Sequence, residues 1–369
     1  MKKILLGTTA IVAAGMITPA MAAEKISLGV GGYMEHYIGF SSVEDDTARD
    51  FRAFDTQDDT EIHFSGSTTL DNGIKFAVKV EMEAQNDDTG GSIDEGWLDI
   101  SSASFGNLRI GNEDAAPSLM HKSSPNYGPG YGDADNWIPT ANTTINTDSY
   151  VTAGMGDENK ISYFSPSFAG FSFGASYSPE IESPGTNGMP NGAIAAEGDG
   201  YGVAVKYAGE FGGVGVKADY GYVKSHDKSY SGSNGTTGHQ VGMNVSVAGF
   251  EFGAGVGMTD AHHDSTATAF AASTDTGEGV VWDIGVGYKS GPWGVSLGYV
   301  ASDLEGVSTF ASTENDEMAT IALSGTYTMG PGITLHGSVY HADYDEEANV
   351  DANFVDGGWA VVAGFSLSF

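Results

Sequence analysis

The sequence predicts an all-β transmembrane protein, an antiparallel up-and-down β-barrel of about sixteen strands. Three observations carry that expectation: apolar side chains recur at every second residue, connections alternate between short and long, and aromatic residues gather near strand ends. The clearest alternation runs from Ile74 to Ala84. There Ile74, Phe76, Val78, Val80, Met82 and Ala84 are apolar, with Lys75, Lys79, Glu81 and Glu83 between them. Successive side chains of a strand point to opposite faces, so this spacing separates apolar from charged residues, which helical spacing would mix.

Reading the chain in order places strand starts near Ile26, Glu61, Ile74, Glu95, Asn107, Lys160, Phe171, Tyr201, Val214, Gln240, Phe250, Val280, Trp293, Ala319, Ile333 and Gly358. The last repeats the pattern with Trp359, Val361, Ala363, Phe365, Leu367 and Phe369 on one face. Between strands, Asp71-Asn72-Gly73, Ser104 to Gly106, Ser167 to Gly170, Gly209 to Gly213, Ala248-Gly249, Ser290 to Pro292 and Gly330 to Gly332 read as tight turns. The intervening connections, such as Ser41 to Asp59, Asn112 to Asn159 and Asp260 to Gly279, are longer and mostly acidic. Short turns at one rim and long loops at the other are the organisation of an outer-membrane barrel, and an even strand count lets the sheet close.

Composition narrows the class further. Gly supplies 54 of 369 residues, which disfavours a helical protein. The net charge of -34 excludes an electrostatic footprint for nucleic acid, and the absence of Cys removes disulfides, thiol catalysis and Cys-based zinc sites. No uninterrupted apolar run after Ala23 is long enough for a membrane helix, whereas a barrel strand needs only about ten alternating residues. A soluble all-β protein also alternates. Tyr177, Tyr207, Tyr222, Tyr288, Trp293, Tyr299 and Phe369 near strand ends favour the barrel, because they suit the interfacial girdles.

At the N-terminus Lys2 and Lys3 precede an apolar stretch from Ile4 to Ile17 and a small-residue pattern ending at Ala22. Residues 1–22 read as a secretory signal peptide, and 23–369 as the barrel. Removing the two lysines leaves 13 basic against 49 acidic residues, a net charge of -36 on the mature chain.

The opening Ala23 to Phe40 (AEKISLGVGGYMEHYIGF), Leu98 to Asn112 (LDISSASFGNLRIGN), Glu158 to Ser165 (ENKISYFS) and the terminal FSLSF of Phe365 to Phe369 together resemble the Gram-negative general porins, of the alphaproteobacterial type. The resemblance implies sixteen strands, a homotrimer, and a third long loop folded into the pore. Here that loop is about residues 112–159, and its Glu113, Asp114, Asp133 and Asp135 would form the acidic side of a constriction. A basic wall is expected opposite. Lys75 and Lys79 lie on the polar face of their strand, Arg109 lies between outward Leu108 and Ile110, and Arg49 and Arg52 precede the second strand. The plainer reading is that these charges keep a wet lumen soluble. The short Pro-Glu-Phe-Gly-Gly motif of enterobacterial porin loops is absent.

The resemblance also makes Phe369 a signal for the barrel-assembly machinery. Its carboxylate is expected to pair with Lys25 or the Ala23 amine where first and last strands meet. Lipid and lipopolysaccharide of the outer membrane are the expected surroundings. The outward face of the first strand, Ile26, Leu28, Val30, Gly32 and Met34, lacks aromatics, as a face covered by another subunit would.

No enzyme chemistry is expected. The Gly-x-Ser-x-Gly matches at Gly170 to Gly174 and Gly294 to Gly298 place Ser172 and Ser296 inside alternating strands, away from the strand-to-helix turn a nucleophile needs. His262 and His263 lie in a polar loop, and no metal site or cofactor is expected. Acidic loop clusters such as Asp45-Asp46, Asp87-Asp88 and Asp343 to Glu347 could attract Ca²⁺, yet none has the twelve-residue loop spacing. The expected function is passive diffusion of small hydrophilic solutes and ions, weakly cation-selective, through a water-filled channel. A sugar-specific channel would use Tyr33, Tyr37, Trp97 and Tyr340 as inward aromatics, and a plugged structural or adhesive barrel is the reading from another class.

Overall fold

A computed structural model describes residues 25–44, 53–84, 93–131, 136–138, 149–181, 198–226, 235–261, 278–305, 315–345 and 355–369. Among them are sixteen strands: β1 (Gly29–Glu44), β2 (Phe54–Thr69), β3 (Lys75–Glu83), β4 (Ile93–Ser102), β5 (Gly106–Asn112), β6 (Asn159–Phe164), β7 (Phe171–Ser178) and β8 (Gly200–Phe211), then β9 (Val214–Ser225), β10 (Thr236–Val247), β11 (Phe250–Ala261), β12 (Gly279–Ser290), β13 (Trp293–Glu305), β14 (Asn315–Gly330), β15 (Ile333–Asp345) and β16 (Gly357–Ser368). Every strand pairs antiparallel with its neighbours in sequence, and β1 pairs with β16, so the barrel is closed. Closure leaves no strand edge for another chain to extend. No described helix is long and apolar enough to cross a membrane, which says nothing about a β-barrel.

The expected strands are all present, with one large boundary difference. β2 starts at Phe54 rather than near Glu61. Its first seven residues, FDTQDDT, carry polar side chains on both faces after Phe54, so no apolar alternation marks the strand there. The same effect moves β14 to Asn315 and β10 to Thr236. Ala248 and Gly249 both take positive φ, +50° and +88°, the hairpin turn whose twist matches its strands.

Pairing across the sheet fixes two faces. Val241, Met243, Phe252, Ile284, Leu297 and Leu323 are exposed on the outside, where hydrocarbon lies in a membrane. Rings cluster at the strand ends: Phe250 and Tyr288 have centroids 4.6 Å apart, and Trp293 and Tyr327 4.2 Å. The inward face carries Ser, Thr, Gly, Asp and Lys, including Ser176, Lys206, Asp219, Asp283 and Ser324.

The closure at β1 and β16 brings the last residue onto the first strand. The carboxyl-terminal residue Phe369 meets the first strand through Gly32: its carbonyl accepts the Gly32 N–H at 3.0 Å, and its N–H donates to the Gly32 carbonyl at 3.1 Å. Lys25 and Phe369 form no ion pair among the described residues. The register sets Tyr33 opposite Ser368, which leaves Lys25 beyond the end of the paired ladder.

Candidate functional site

The third long connection leaves β5 at Asn112 and returns at Asn159. Its two roots are tied by one ammonium. Lys160, only 3% exposed, donates from Nζ to the carbonyls of Glu113 and Gly156, and to that of Glu158 at 2.7 Å. The outgoing limb forms a short helix, α1 (Ala116–Met120), started by Pro117, and Ala116 N–H donates to Ser176 Oγ on β7 at 2.8 Å.

Beyond α1 the loop follows the inner wall around the barrel. Asn244 on β10 donates to the Ser123 carbonyl at 3.0 Å, Tyr127 N–H donates to Ser296 Oγ on β13 at 3.0 Å, and Tyr344 on β15 donates to the Ile138 carbonyl at 2.9 Å. Gln57 on β2 reaches the Asn136 carbonyl at 2.5 Å. The third loop therefore folds inward and lines the lumen.

Glycines on the inner face form its seat. A Cβ at Gly242 would lie 2.2 Å from the Lys122 carbonyl oxygen, at Gly298 2.4 Å from the Tyr131 ring, and at Gly39 2.3 Å from the Trp137 ring. These separations are closer than packed carbon atoms tolerate, so only glycine admits the loop there. Part of the glycine excess thus has a positional cause that composition alone could not show.

The wall of β3 to β5 holds the expected basic residues, already paired. Arg109 forks onto Asp99, with Nε to Oδ1 at 2.9 Å and Nη2 to Oδ2 at 3.1 Å, and its Nη1 donates to Glu113. Its guanidinium lies 4.4 Å from the centroid of Trp97, and Lys79 pairs with Glu81. Lys75 faces the lumen near the short-turn rim. Glu113 therefore stands beside Arg109 rather than across a gap from it. Burial pushes the Glu113 carboxyl above the ordinary range, outweighing the pull of Arg109 and Lys79. Asp114 is half-buried at the same root. Asp133, Asp135, Arg49, Arg52, His262 and His263 lie outside the described residues.

Alternation along each strand reveals lumen-facing charges that motif reading passed over. Glu35, Asp59, Glu61, Glu81 and Glu83 share the inner face of β1 to β3, and Lys206, Lys217 and Lys289 project from the inner face of β8, β9 and β12. A cavity of about 580 Å³ is lined by Glu35 and Tyr37 of β1, Asp59 of β2, Tyr127 and Trp137 of the loop, Lys289 of β12 and His336 of β15. Lys289 Nζ lies 4.2 Å from the Tyr127 ring centroid. On the loop, burial and the neighbouring Lys206 press the Lys122 ammonium below its usual range. The structure thus interleaves acids and bases on the β1 to β5 wall and adds a second basic group opposite.

Two sets of donors could accept a cation, Glu61, His63 and Glu81, and Glu61, Glu83 and Asp94, with ligand atoms within 4.8 Å of one another in each. In the first, His63 Nε2 lies 2.6 Å from Glu61 and the Lys79 ammonium pairs with Glu81, which offsets one of its carboxylates. Ser172 and Ser296 sit mid-strand, and Ser296 Oγ accepts the loop N–H of Tyr127.

A family model described as Gram-negative porin matches residues 7–347. The chain belongs to that family. A porin structure refined at 1.8 Å is similar at 17% identity and a TM-score of 0.62, covering 93% of this chain and 100% of that one. The anion-selective porin of Comamonas acidovorans is similar at 15% identity and 0.62, covering 94% and 100%. The outer-membrane protein OmpT of Vibrio cholerae, lacking its loop L8, is similar at 12% identity and 0.59, covering 94% and 100%. No curated protein matches the sequence. This porin is an outer-membrane channel for passive diffusion.

Proposed function

We propose that this porin passes small hydrophilic solutes and ions with a weak preference for cations. The observation that supports it is the cavity beside the seated third loop, lined by Glu35 and Asp59 together with Lys289 and His336. Opposed charges across a narrow gap orient dipolar solutes and disfavour apolar ones, and the excess of carboxylates, with a chain net charge of -34, enriches cations at the mouth. A fold shared with an anion-selective porin leaves the sign of selectivity to the luminal side chains. Reversal potentials in planar bilayers under a salt gradient test the reading: a cation preference is expected, and an anion preference overturns it.

The aromatic rings of Tyr37, Tyr127 and Trp137 in the same cavity favour a second reading, a channel that holds one class of solute such as a sugar. Saturable rather than linear solute flux would select it. Absence of stable conductance steps would point to a plugged structural barrel. We further propose a homotrimer joined through the outward face of β1, where Leu28, Val30 and Met34 are exposed and apolar. Export by residues 1–22, assembly read from Phe369, and divalent cations shared between acidic loops and lipopolysaccharide complete the proposal. Cross-linking in native membranes tests the trimer.

A further inference from the structure

On the inner face of β2 and β3 an imidazole and two carboxylates converge. Glu61 and His63 are two residues apart on β2 and so share that face, and the register sets Glu81 of β3 directly opposite His63. His63 Nε2 lies 2.6 Å from Glu61 Oε2 and 3.9 Å from Glu81 Oε2, and one ligand atom from each residue lies within 4.8 Å of the other two. Tetrahedral zinc, with bonds of about 2.0–2.2 Å, holds its nitrogen and oxygen ligands about 3.2–3.5 Å apart, a spacing that the two imidazole contacts bracket.

The far oxygen of each carboxylate is already held. Tyr33 on β1 donates from its hydroxyl to Glu61 Oε1 at 2.7 Å, and its ring meets that of His63 edge-on, with centroids 6.0 Å apart. The Lys79 ammonium pairs with Glu81 Oε1. Outer partners of this kind fix the direction in which the remaining oxygens present their lone pairs. A neutral imidazole has one proton to donate, and at 2.6 Å Nε2 gives it to Glu61. Glu81 is only 8% exposed, and its Oε2 accepts no hydrogen bond among the described residues. A buried carboxylate oxygen without a donor is costly, and a cation supplies the missing partner.

Charge points the same way. Glu83 and Asp94 join Glu61 in an adjoining set of convergent donors, so carboxylates outnumber the ammonium of Lys79. The nitrogen ligand selects zinc-like transition ions over calcium and magnesium, which take oxygen. His63 keeps 21% of its side chain open, which gives an ion in the lumen a route to the ring.

We propose that Glu61, His63 and Glu81 form a luminal site for one divalent transition-metal ion of the zinc type, with Tyr33 and Lys79 as positioning residues. The ring proton moves to Nδ1, and the hydrogen bond between His63 and Glu61 gives way to metal bonds from both. No linear motif marks the site, because its ligands come from two strands and meet only through register. The ion adds positive charge to the wall beside Trp97, whose ring centroid lies 5.2 Å from Lys79 Nζ, so a loaded pore loses cation preference. That last consequence rests on the channel reading above; the site does not.

Equilibrium dialysis of the folded protein in detergent against zinc chloride counts the ions bound by wild type, His63→Gln and Glu81→Gln. The wild type should hold one ion per chain that both variants bind at least about tenfold more weakly. Glu81→Gln leaves the His63–Glu61 hydrogen bond in place, so its loss of zinc separates ligation from a structural role of the histidine and carries the test if His63→Gln does not fold. Equal uptake by wild type and Glu81→Gln, or displacement of the ion by equimolar calcium chloride, overturns the site. Reversal potentials read the consequence: zinc should lower the cation preference of the wild type and leave that of Glu81→Gln unmoved. The same zinc response in both places the ion outside this site and overturns the proposal, while the dialysis result stands whether or not the channel conducts.

Discussion

Arg109 and Asp99 face each other as direct cross-strand partners of β5 and β4 and are joined by two parallel hydrogen bonds of 2.9 and 3.1 Å. The third guanidinium contact goes to Glu113, where the inward loop begins. One side chain thus neutralises two carboxylates at the loop's root while its flat face packs on Trp97.

Replacing Arg109 by Ala leaves half-buried Asp99 and buried Glu113 without the guanidinium that bonds both. A loss of about 2 kcal/mol is expected, partly recovered by solvent entering the lumen. Thermal unfolding in detergent measures the loss, and the reversal potential should move toward stronger cation preference.

Lys289 and Glu35 line one cavity with opposite charges, and Tyr37 donates to Glu35 at 2.5 Å. Lys289→Gln should increase cation preference and Glu35→Gln should decrease it, with little change in stability for either. Equal and same-signed shifts of the two reversal potentials would dismiss the assigned polarity.

The glycine seat makes a steric prediction. Gly242→Ala drives a Cβ into the main-chain carbonyl of Lys122, which cannot rotate away, so the loop must shift; a cost of about 1–3 kcal/mol is expected, with altered conductance. Gly337→Ala, on the outer face where a Cβ would meet only the Val362 carbonyl at 3.6 Å, serves as the control and should leave both unchanged.

Glu113 gives a pH dependence of known sign. Its carboxyl is raised by burial, so folding favours the neutral acid relative to the unfolded chain. The associated stability is present in full below the ordinary glutamate range and is lost as pH rises through the raised one. In the pore, acidification removes this charge before that of an unperturbed carboxylate, leaving Arg109 less balanced. Cation preference should fall in that interval, and Glu113→Gln should abolish that step of the titration.

Several parts of the site were legible in the residues themselves. Ile74 to Ala84 puts Lys75 and Lys79 on the inner face because a strand has a period of two, and the same rule sends Arg109 inward between Leu108 and Ile110. Applied to β8, β9 and β12, the same rule sends Lys206, Lys217 and Lys289 inward. Lys160 could be placed inward in the same way. Its capture of three carbonyls could not, because those groups belong to a loop without periodicity.

The sequence by itself determined the barrel, its strand count, its short and long rims and the face each strand turns to water. These follow from local alternation and turn chemistry, which a solvent of hydrocarbon on one side and water on the other enforces residue by residue. Only the tertiary structure decided which charges meet. Asp219, Gln240 and Asp283 reach residues of the third loop about a hundred or more positions away, and the match depends on barrel curvature, strand register and the shallow glycine track, none of which is written in any short stretch of chain.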